Sequence, residues 1–287
     1  MNRLISSFLL VFFFYGITEG QVSYQEEIEN YRKERLTSLT AGKSWSSLQG
    51  LYWLSKDTTS IGPNDHNDIQ LPLLEPNRNK YVFERDGELI YHNFNYKDYI
   101  LNEYVVFSSE GEAMEMSDGQ YIWTVIEREG KKGIRVWDTL HPNRNAITEL
   151  PQYQIDPAWK IEANFTPYDS SYTKKVSNVL GMEIDYYIPG LLTFVLDGKE
   201  HSLLVLEADE EHYFLIFSDH TTGDTTYGGG RYLYCPRENA DGRTMIDFNK
   251  AFTPPCGFTA YATCLLPFPE NVLDIAIEAG EKYDDHH

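Results

Sequence analysis

The sequence predicts a mostly β protein, either an antiparallel β-barrel or two packed sheets, with one N-terminal α-helix. Short apolar runs with period-two alternation recur after residue 75, and tight-turn signals such as Asp-Gly separate them. Only one segment carries helical periodicity. Strands that recur at short spacing without intervening helices favour antiparallel pairing. Because the two Asp-Gly hairpins lie in different halves of the chain, we expect two β subdomains that share a core.

The helical segment follows Ser23. The S-x-x-E pattern from Ser23 to Glu26 is a capping box, in which each side chain accepts a backbone N–H near the first turn. Apolar residues at Ile28, Leu36 and Leu39 then recur at helical spacing. We therefore expect residues 21–44 to form a helix and linker that brace the surface of the sheet.

Strand pairs are predicted wherever two alternating runs flank a turn signal. Asp-Gly is the strongest of these signals, since both residues of a type I′ turn need positive φ angles. The predicted pairs run over 81–92, 121–137, 192–206 and 213–235, and the alternation of 272–278 predicts a further strand.

Residues 1–20 have the pattern of a secretory signal peptide. A positive start at Arg3 precedes a short apolar run, and Gly20 is a small residue at a cleavage point. The run of about eleven apolar residues is too short to cross a bilayer, which needs roughly 20. We expect export to the periplasm or secretion, with no membrane association after cleavage. The alternative is an N-terminal anchor that stays uncleaved.

The chain is strongly acidic, with 24 Lys and Arg against 44 Asp and Glu and a formal net charge of −20. Such a surface repels nucleic-acid phosphates and anionic lipids unless a basic patch exists, and the sequence has no Lys/Arg cluster. Neither nucleic acid nor membrane is therefore expected as a partner. Common hydrolase, zinc-protease and dinucleotide motifs are absent, so no cofactor or metal is predicted. The oligomeric state stays open.

Cys235, Cys256 and Cys264 are an odd set, so at most one internal disulfide can form. Cys256 and Cys264 would lie roughly 26 Å apart in an extended chain, so a bridge between them needs a chain reversal, for which Gly257 is the local candidate. Cys256 is a candidate nucleophile if a nearby His or cation favours its thiolate. The alternatives are buried or disulfide-linked cysteines, or a zinc site without the usual short spacing.

The segment that begins at Asp247 concentrates polar and rigid residues. In a strand, Asp247 and Asn249 would point to one face and Phe248 to the other, so a carboxylate and an amide would lie side by side. Such a pair could orient a ligand or a proton. The alternative is that both side chains hydrogen-bond to the backbone of the long loop 218–230.

Three glycines precede Arg231. The backbone N–H groups of such a run can form an anion-binding nest, to which Arg231 would add positive charge. The alternative is a loop that enters an edge strand, with Arg231 paired to Asp219, Asp247 or Glu281.

The C-terminal motifs resemble those of a known family. TYGGGR at 226–231, DFNKAFTPPC at 247–256, YATC at 261–264 and AGEK at 279–282 are similar to the signature of the bacterial and archaeal family called domain of unknown function 1684. Lys250 stands where the family more often has Arg, so a forked contact with a carboxylate is not expected there. The resemblance implies no established reaction.

The resemblance places the family β domain at 45–283. A subdomain boundary is expected in the turn-rich segment 141–150, although no flexible Gly/Ser linker separates the two parts. Residues 284–287 are expected to be a frayed tail.

Three function hypotheses place the important residues where the C-terminal motifs meet. The first is a cleft that binds a small anionic or hydroxylated ligand. The second is a hydrolase-like enzyme with Asp247 as general base, for which Cys256 is the other catalytic candidate. The third is a structural module in which the polar residues form a buried network. The predicted ligand-binding residues are Arg231, Asp247, Asn249, Lys250 and Glu281.

Overall fold

The computed structural model describes residues 23–71, 78–95 and 100–284. Strands account for 45% of this part and helices for 14%, so the prediction of a mostly β protein is confirmed. No helix within these ranges is both long and apolar enough to cross a membrane. The predicted signal peptide at 1–20 lies outside the described residues, as does most of the predicted tail at 284–287.

The N-terminal helix is present as predicted. Helix α1 spans Tyr24–Leu39, and both hydrogen bonds of the Ser23–Glu26 capping box are formed. A second helix, α2 (Asn143–Ala146), is a single turn. The remaining helical pieces are 3₁₀ turns at Trp45–Ser47, Pro157–Trp159, Phe248–Lys250, Pro255–Gly257 and Pro269–Asn271.

The first half of the chain forms two antiparallel-dominated sheets. One has the order β1-β9-β8-β7 and the other the order β3-β2-β4-β5-β6. Their strands are β1 (Leu48–Trp53), β2 (Thr58–Gly62), β3 (Ile69–Gln70), β4 (Arg78–Arg85), β5 (Glu88–Asn95), β6 (Ile100–Phe107), β7 (Glu115–Asp118), β8 (Tyr121–Arg128) and β9 (Lys131–Asp138).

The second half forms a six-stranded sheet in the order β16-β15-β14-β13-β10-β17, with a separate β11-β12 ribbon. The strands of the six-stranded sheet are β10 (Lys160–Pro167), β13 (Gly190–Leu196), β14 (Lys199–Glu207), β15 (His212–Phe217), β16 (Arg231–Pro236) and β17 (Arg243–Asp247). The ribbon consists of β11 (Thr173–Ser177) and β12 (Glu183–Tyr187). The two edge strands approach each other, since Thr244 of β17 donates a hydrogen bond to the carbonyl of Pro236 in β16 at 2.6 Å. The sheet therefore curls into a nearly closed barrel.

Local turn chemistry produces the predicted hairpins. Asp86 and Asp197 adopt φ angles of 54° and 51°, and the glycine that follows each also has positive φ. Their hairpins join β4 to β5 and β13 to β14. Glu129 and Gly130 make the same kind of turn between β8 and β9, so this turn has two residues and not the four that the sequence indicated.

The prediction of a strand at 272–278 is wrong. Leu273 and Ile277 are buried as the alternation indicated, but the segment joins no ladder beyond a single bridge from Val272 to Ser218. Its backbone groups bond instead to the loop after β15: Leu273 N–H donates to Ser218, and His220 N–H donates to the carbonyl of Ile275. Period-two burial alone therefore does not specify a strand here.

Each half has its own cluster of buried apolar side chains. Leu192, Phe194 and Leu215 belong to the cluster inside the barrel, whereas Trp123 and Ile134 belong to the cluster between the two N-terminal sheets. The halves meet along a seam, where Thr259 donates to the carbonyl of Leu48 at 2.8 Å and Arg135 donates to Thr263 at 3.1 Å. Apolar contacts also join the two parts, since Trp45 packs against the buried cluster that contains Leu204 and Phe268. The boundary at 141–150 stays a prediction.

A buried ion pair fixes the C-terminal segment to the barrel. Arg231, at the start of β16, is fully buried, and its guanidinium donates to the Asp219 carboxylate at 2.7 Å. The same guanidinium donates to the backbone carbonyls of Ile277 and Ala279. Asp219 in turn accepts from the backbone and hydroxyl of Thr221. Three separate stretches of chain thus converge on one cation.

Helix α1 is attached to this C-terminal segment. Arg35 donates to Glu281 at 3.0 Å and to the carbonyl of Thr253 at 2.8 Å. Glu281 is buried, and its second carboxylate oxygen accepts the backbone N–H of Thr253 at 2.8 Å. The Arg35 guanidinium also lies over the ring of Phe252, 4.8 Å from its centroid. The contact explains how a charge-rich helix stays on the sheet as a brace.

We expect Arg231→Met to destabilise the protein by about 3–5 kcal/mol, because Asp219 would keep its buried charge without a counterion. Arg237→Met is the matched control, since Arg237 forms an ion pair with Glu207 that is partly exposed to solvent. That change should cost less than about 1 kcal/mol. Urea unfolding of both variants measures the difference, and equal midpoints would contradict the structural role of Arg231.

Arg35→Met should lower the free energy of unfolding by about 3 kcal/mol, because it leaves the buried Glu281 carboxylate unpaired. Lys33→Met, on the exposed side of the same helix, should change it by less than about 0.5 kcal/mol. Thermal unfolding followed by circular dichroism compares the two. If Arg35→Met melts with the wild type, helix α1 is not held by this ion pair.

Candidate functional site

The five predicted site residues occupy three different environments. Asp247 and Lys250 line a surface cavity beside helix α1, and Asn249 lies between them with its side chain buried. Arg231 belongs to the buried Asp219 network, which is the alternative that the sequence offered for it. Glu281 accepts hydrogen bonds from the Arg35 side chain and from the backbone N–H of Thr253. The structure therefore brings together only part of the predicted set.

Asp247 and Asn249 lie side by side, although not by strand alternation. Strand β17 ends at Asp247, and a 3₁₀ turn over Phe248–Lys250 follows it. Within this turn the backbone and side-chain N–H groups of Asn249 both donate to Asp247 Oδ1, each at 3.2 Å. Phe248 is completely buried below them and anchors the turn in the barrel core.

The amide of Asn249 holds a distant segment and not the loop 218–230. Its Oδ1 accepts the backbone N–H of Asp156 at 3.1 Å, and its Nδ2 donates to the Asp156 carbonyl at 2.9 Å. Within the described structure, that loop is tied instead by Asp219, through the Arg231 network. The alternative that the sequence offered for Asp247 and Asn249 thus named the wrong backbone partner.

Helix α1 completes the hydrogen bonding of Asp247 on one side. The hydroxyl of Tyr24 donates to Asp247 Oδ1 at 2.9 Å and accepts from Asn249 Nδ2 at 2.9 Å. Burial and the hydrogen bond to Asp247 raise the pKa of Tyr24 well above its usual range, so its hydroxyl stays a neutral donor.

The two oxygens of Asp247 are therefore unequal. Oδ1 accepts three donors, whereas Oδ2 is buried and has no hydrogen-bond partner among the described residues. Asp247 as a whole is only 7% exposed. A buried carboxylate oxygen that accepts nothing costs free energy, so this atom is a position where a ligand donor would be favourable.

A cavity of about 460 Å³ lies beside this carboxylate. One wall is helix α1, through Glu27 and Tyr31, and the other is formed by the edge strands of the barrel. The lining residues are Glu27, Tyr31, Lys160, His212, Tyr234, Pro236, Met245, Asp247 and Lys250. The volume is within the range of small-molecule sites, about 300–1,000 Å³.

Two lysines give this cavity local positive charge in an acidic protein. Lys250 donates to Glu27 at 2.5 Å, and this hydrogen bond lowers the pKa of Glu27. Lys160 lies over the ring of Tyr24, with its Nζ 4.9 Å from the ring centroid. Among the described residues Lys160 forms no salt bridge, although it helps to lower the pKa of Glu27 and lies opposite Asp247 on the neighbouring strand. Tyr31 fixes the turn by donating to the Lys250 carbonyl at 2.8 Å.

The sequence reasoning missed the contribution of helix α1 to this site. Tyr24, Glu27, Tyr31 and Arg35 follow one another at spacings of three, four and four residues, which places them on one helical face. This polar stripe is a readable signal that the helix docks through side-chain hydrogen bonds. Its partners could not be read, since they lie more than 200 positions away.

Cys256, the other catalytic candidate, lies in a different place. It lines a second cavity with His141 and Tyr261, and its neighbour in space is Cys264. All three cysteines are free thiols, and Cys235 is buried in the barrel core, where burial raises its pKa to about 11. In the described ranges no group of three or more His, Cys, Asp or Glu side chains is placed to hold a metal ion.

Comparison with known proteins finds similarity over part of the chain. The sequence model of the family described as "Protein of unknown function (DUF1684)" matches residues 145–282. An uncharacterised protein of Haloarcula marismortui, solved by solution NMR, is 32% identical to this chain; the match covers 50% of this chain and 82% of that one, with a TM-score of 0.42. Curated proteins yield no match.

The matched segment contains the barrel-like sheet, the Asp247 turn and the Cys256–Cys264 region. It begins at residue 145, so the extension of the family domain back to residue 45 stays a prediction. Through residues 145–282, the chain belongs to the DUF1684 family of proteins of unknown function.

Proposed function

We propose that the protein binds a small hydroxylated anion in the cavity between helix α1 and the barrel. The observation that carries this proposal is Asp247 Oδ2, a buried acceptor without a partner among the described residues at the wall of a cavity. A ligand hydroxyl would donate to this oxygen. Hydrogen bonds to a charged group contribute about 1.5–3 kcal/mol, enough to select for a donor at this position.

The lysines supply the second half of the recognition. Among the described residues Lys160 forms no salt bridge, and Lys250 pairs with Glu27 and lies over the ring of Tyr31. An anionic group on the ligand would contact Lys160, which lies opposite Asp247 on the neighbouring strand, while a hydroxyl of the ligand reaches the Asp247 carboxylate. The rings of Tyr31 and Tyr234 add apolar surface to the cavity wall. A compact hydroxy acid or sugar acid has this combination of groups.

The larger cavity in the N-terminal half fits a ligand less well. It measures about 590 Å³, and its lining includes Lys56, Glu84 and Lys132. Lys132 pairs with Glu84 at 3.2 Å, and Lys56 pairs with Asp68. Two of its three lysines are thus already paired within the protein, and it lies outside the segment that the family shares.

A hydrolase-like activity is the second candidate, because the same free oxygen of Asp247 could take a proton from a bound hydroxyl or water. The described lining of the cavity adds no second carboxylate near it except Glu27, which is held by Lys250. For Arg231 and Glu281, the contacts support the third hypothesis, a structural network. The binding proposal therefore rests on Asp247, Lys160 and Lys250, with Asn249 as a positioning residue.

Asp247→Asn separates the binding role from the structural one. Asparagine can keep Oδ1 as the acceptor for Tyr24 and Asn249, but it replaces Oδ2 by an amide donor. We expect the variant to fold with nearly wild-type stability and to lose at least about tenfold in affinity, which corresponds to about 1.4 kcal/mol. Isothermal titration with gluconate, lactate and neutral polyols measures the affinity, and Lys160→Met should weaken the anions selectively.

Lys175→Met is the matched control, because Lys175 is partly exposed on the β11-β12 ribbon and does not line the cavity. Its affinity for the same compounds should equal that of the wild type. Unchanged binding in Asp247→Asn with loss of turnover would favour the hydrolase. Loss of several degrees in melting temperature, with no compound bound by the wild type, would favour the structural network.

Export is the remaining part of the proposal, and it is supported by the signal-peptide pattern at 1–20. The helix that follows begins with its own cap at Ser23, so cleavage near Gly20 would leave α1 intact. N-terminal sequencing of protein recovered from the periplasm or medium should start near Gln21. Recovery of a chain that starts at Met1 in the membrane fraction would establish the uncleaved anchor.

A further inference from the structure

The second cavity contains a pair of thiols that the proposed ligand site does not use. It has a volume of about 460 Å³ and is lined by Cys256, His141, Tyr261 and Tyr283. Cys256 is half-buried and faces this space, whereas Cys264 is buried behind it. A thiol at a cavity wall with a second thiol beneath it has the arrangement of an attacking and a resolving cysteine.

A tight turn brings the two cysteines together. The 3₁₀ turn Pro255–Gly257 reverses the chain, and the backbone N–H of Cys256 donates to Cys264 Sγ at 3.0 Å. Gly257 is required at this turn, because a Cβ there would lie 2.4 Å from Thr253 Cγ2. Since the N–Cα bond is about 1.5 Å long, Cys264 Sγ lies within about 4.5 Å of the Cys256 Cα. The two side chains also hydrogen-bond to each other, so their sulfur atoms are neighbours.

A buried cation without a counterion lies beside this pair. Arg135 is 7% exposed, and among the described residues it forms no salt bridge with a carboxylate. Its guanidinium lies over the Trp45 ring, donates to Thr263, and leaves Nε without a partner in the same part of the chain. Desolvation lowers the pKa of Arg135 to about 10, and the charged groups that oppose this shift are Cys264 and Cys256. A thiolate of the pair is the anion that this site lacks.

The pKa values of the two thiols are shifted in opposite directions. The hydrogen bond with Cys264 lowers the pKa of Cys256, and Arg135 contributes in the same direction. The pKa of Cys264 is raised well above its usual range by the same hydrogen bond and by burial. The pair therefore holds one readily ionised proton and one that is retained.

We propose that Cys256 and Cys264 form a thiol–disulfide exchange site that accepts a disulfide substrate at the second cavity. The Cys256 thiolate attacks one sulfur of the substrate disulfide, forms a mixed disulfide and releases one substrate thiolate. Cys264 then loses its proton and attacks Cys256 Sγ, which closes the Cys256–Cys264 bond and releases the second substrate thiolate. The protein thiols lose two electrons, the substrate disulfide gains them, and the two released thiolates take up the two protons.

Reduced wild-type protein treated with oxidised glutathione tests this proposal. Quenching, unfolding and alkylation, followed by peptide mass spectrometry, should show that Cys256 and Cys264 become linked while Cys235 is recovered as an alkylated thiol. Cys264→Ser should stop at a stable glutathione adduct on Cys256. Arg135→Met should slow the reaction of Cys256 at neutral pH by about five- to tenfold, because the thiolate loses its neighbouring cation.

Arg237→Met is the control, since Arg237 pairs with Glu207, lies over Tyr213 and does not line the second cavity. It should react at the wild-type rate. The proposal is overturned if the treated wild type, once unfolded, is alkylated at both Cys256 and Cys264, or if Arg135→Met reacts as fast as Arg237→Met. The wild-type measurement decides the matter even if Cys264→Ser fails to fold.

Discussion

The buried ion pair between Arg231 and Asp219 determines where the C-terminal segment runs. Both side chains are withdrawn from water, and two backbone carbonyls of that segment accept hydrogen bonds from the guanidinium, whose Nε has no partner among the described residues. Removing two charges from water is costly, so the ion pair depends on the hydrogen bonds that the guanidinium makes to Asp219 and to these carbonyls. The path of residues 277–279 is thus set by a single cation and not by a strand ladder. This explains why an alternating apolar pattern there does not become a strand.

The position of the C-terminal segment determines the polar contacts that helix α1 makes. Glu281 comes two residues after Ala279, and its carboxylate is placed to receive Arg35 of helix α1. Once α1 is attached there, Tyr24 and Tyr31 reach the turn after β17 and form one wall of the cavity. The same turn presents Asp247 with one satisfied and one free oxygen. The candidate ligand site is therefore an indirect product of a structural ion pair that contains a residue expected to bind the ligand itself.

Features with short-range physical causes could be predicted from the sequence. The Ser23 capping box and the Asp86 and Asp197 turns depend on a few adjacent residues, and each appears as expected. The strands that these turns connect follow from period-two burial. By contrast, the choice of Asp219 as the partner of Arg231 required the fold, since three carboxylates were equally plausible from the sequence.

The candidate site shows the same limit. Proximity of Asp247, Asn249 and Lys250 is local and was visible, although a 3₁₀ turn and not a strand produces it. Lys160 and helix α1 reach this turn only through tertiary packing, so no pattern in the sequence assigns them to it. For the cysteines, the chain reversal at Gly257 was recognised as a requirement, but the buried Arg135 comes from the other half of the protein.

During synthesis, helix α1 emerges long before the residues that it contacts in the folded protein. Tyr24 and Asp247 are separated by 223 positions. At about 5–20 residues per second, the helix is therefore made roughly 10–45 s before Asp247 and the turn that it contacts. An amphipathic helix with a broad apolar face would be prone to aggregation over that interval. Helix α1 buries only Ile28 and Leu39 and is otherwise held by tyrosine hydroxyls and charged groups. Such a surface is compatible with water until the last strands have formed, so the polar character of the contact also serves the nascent chain.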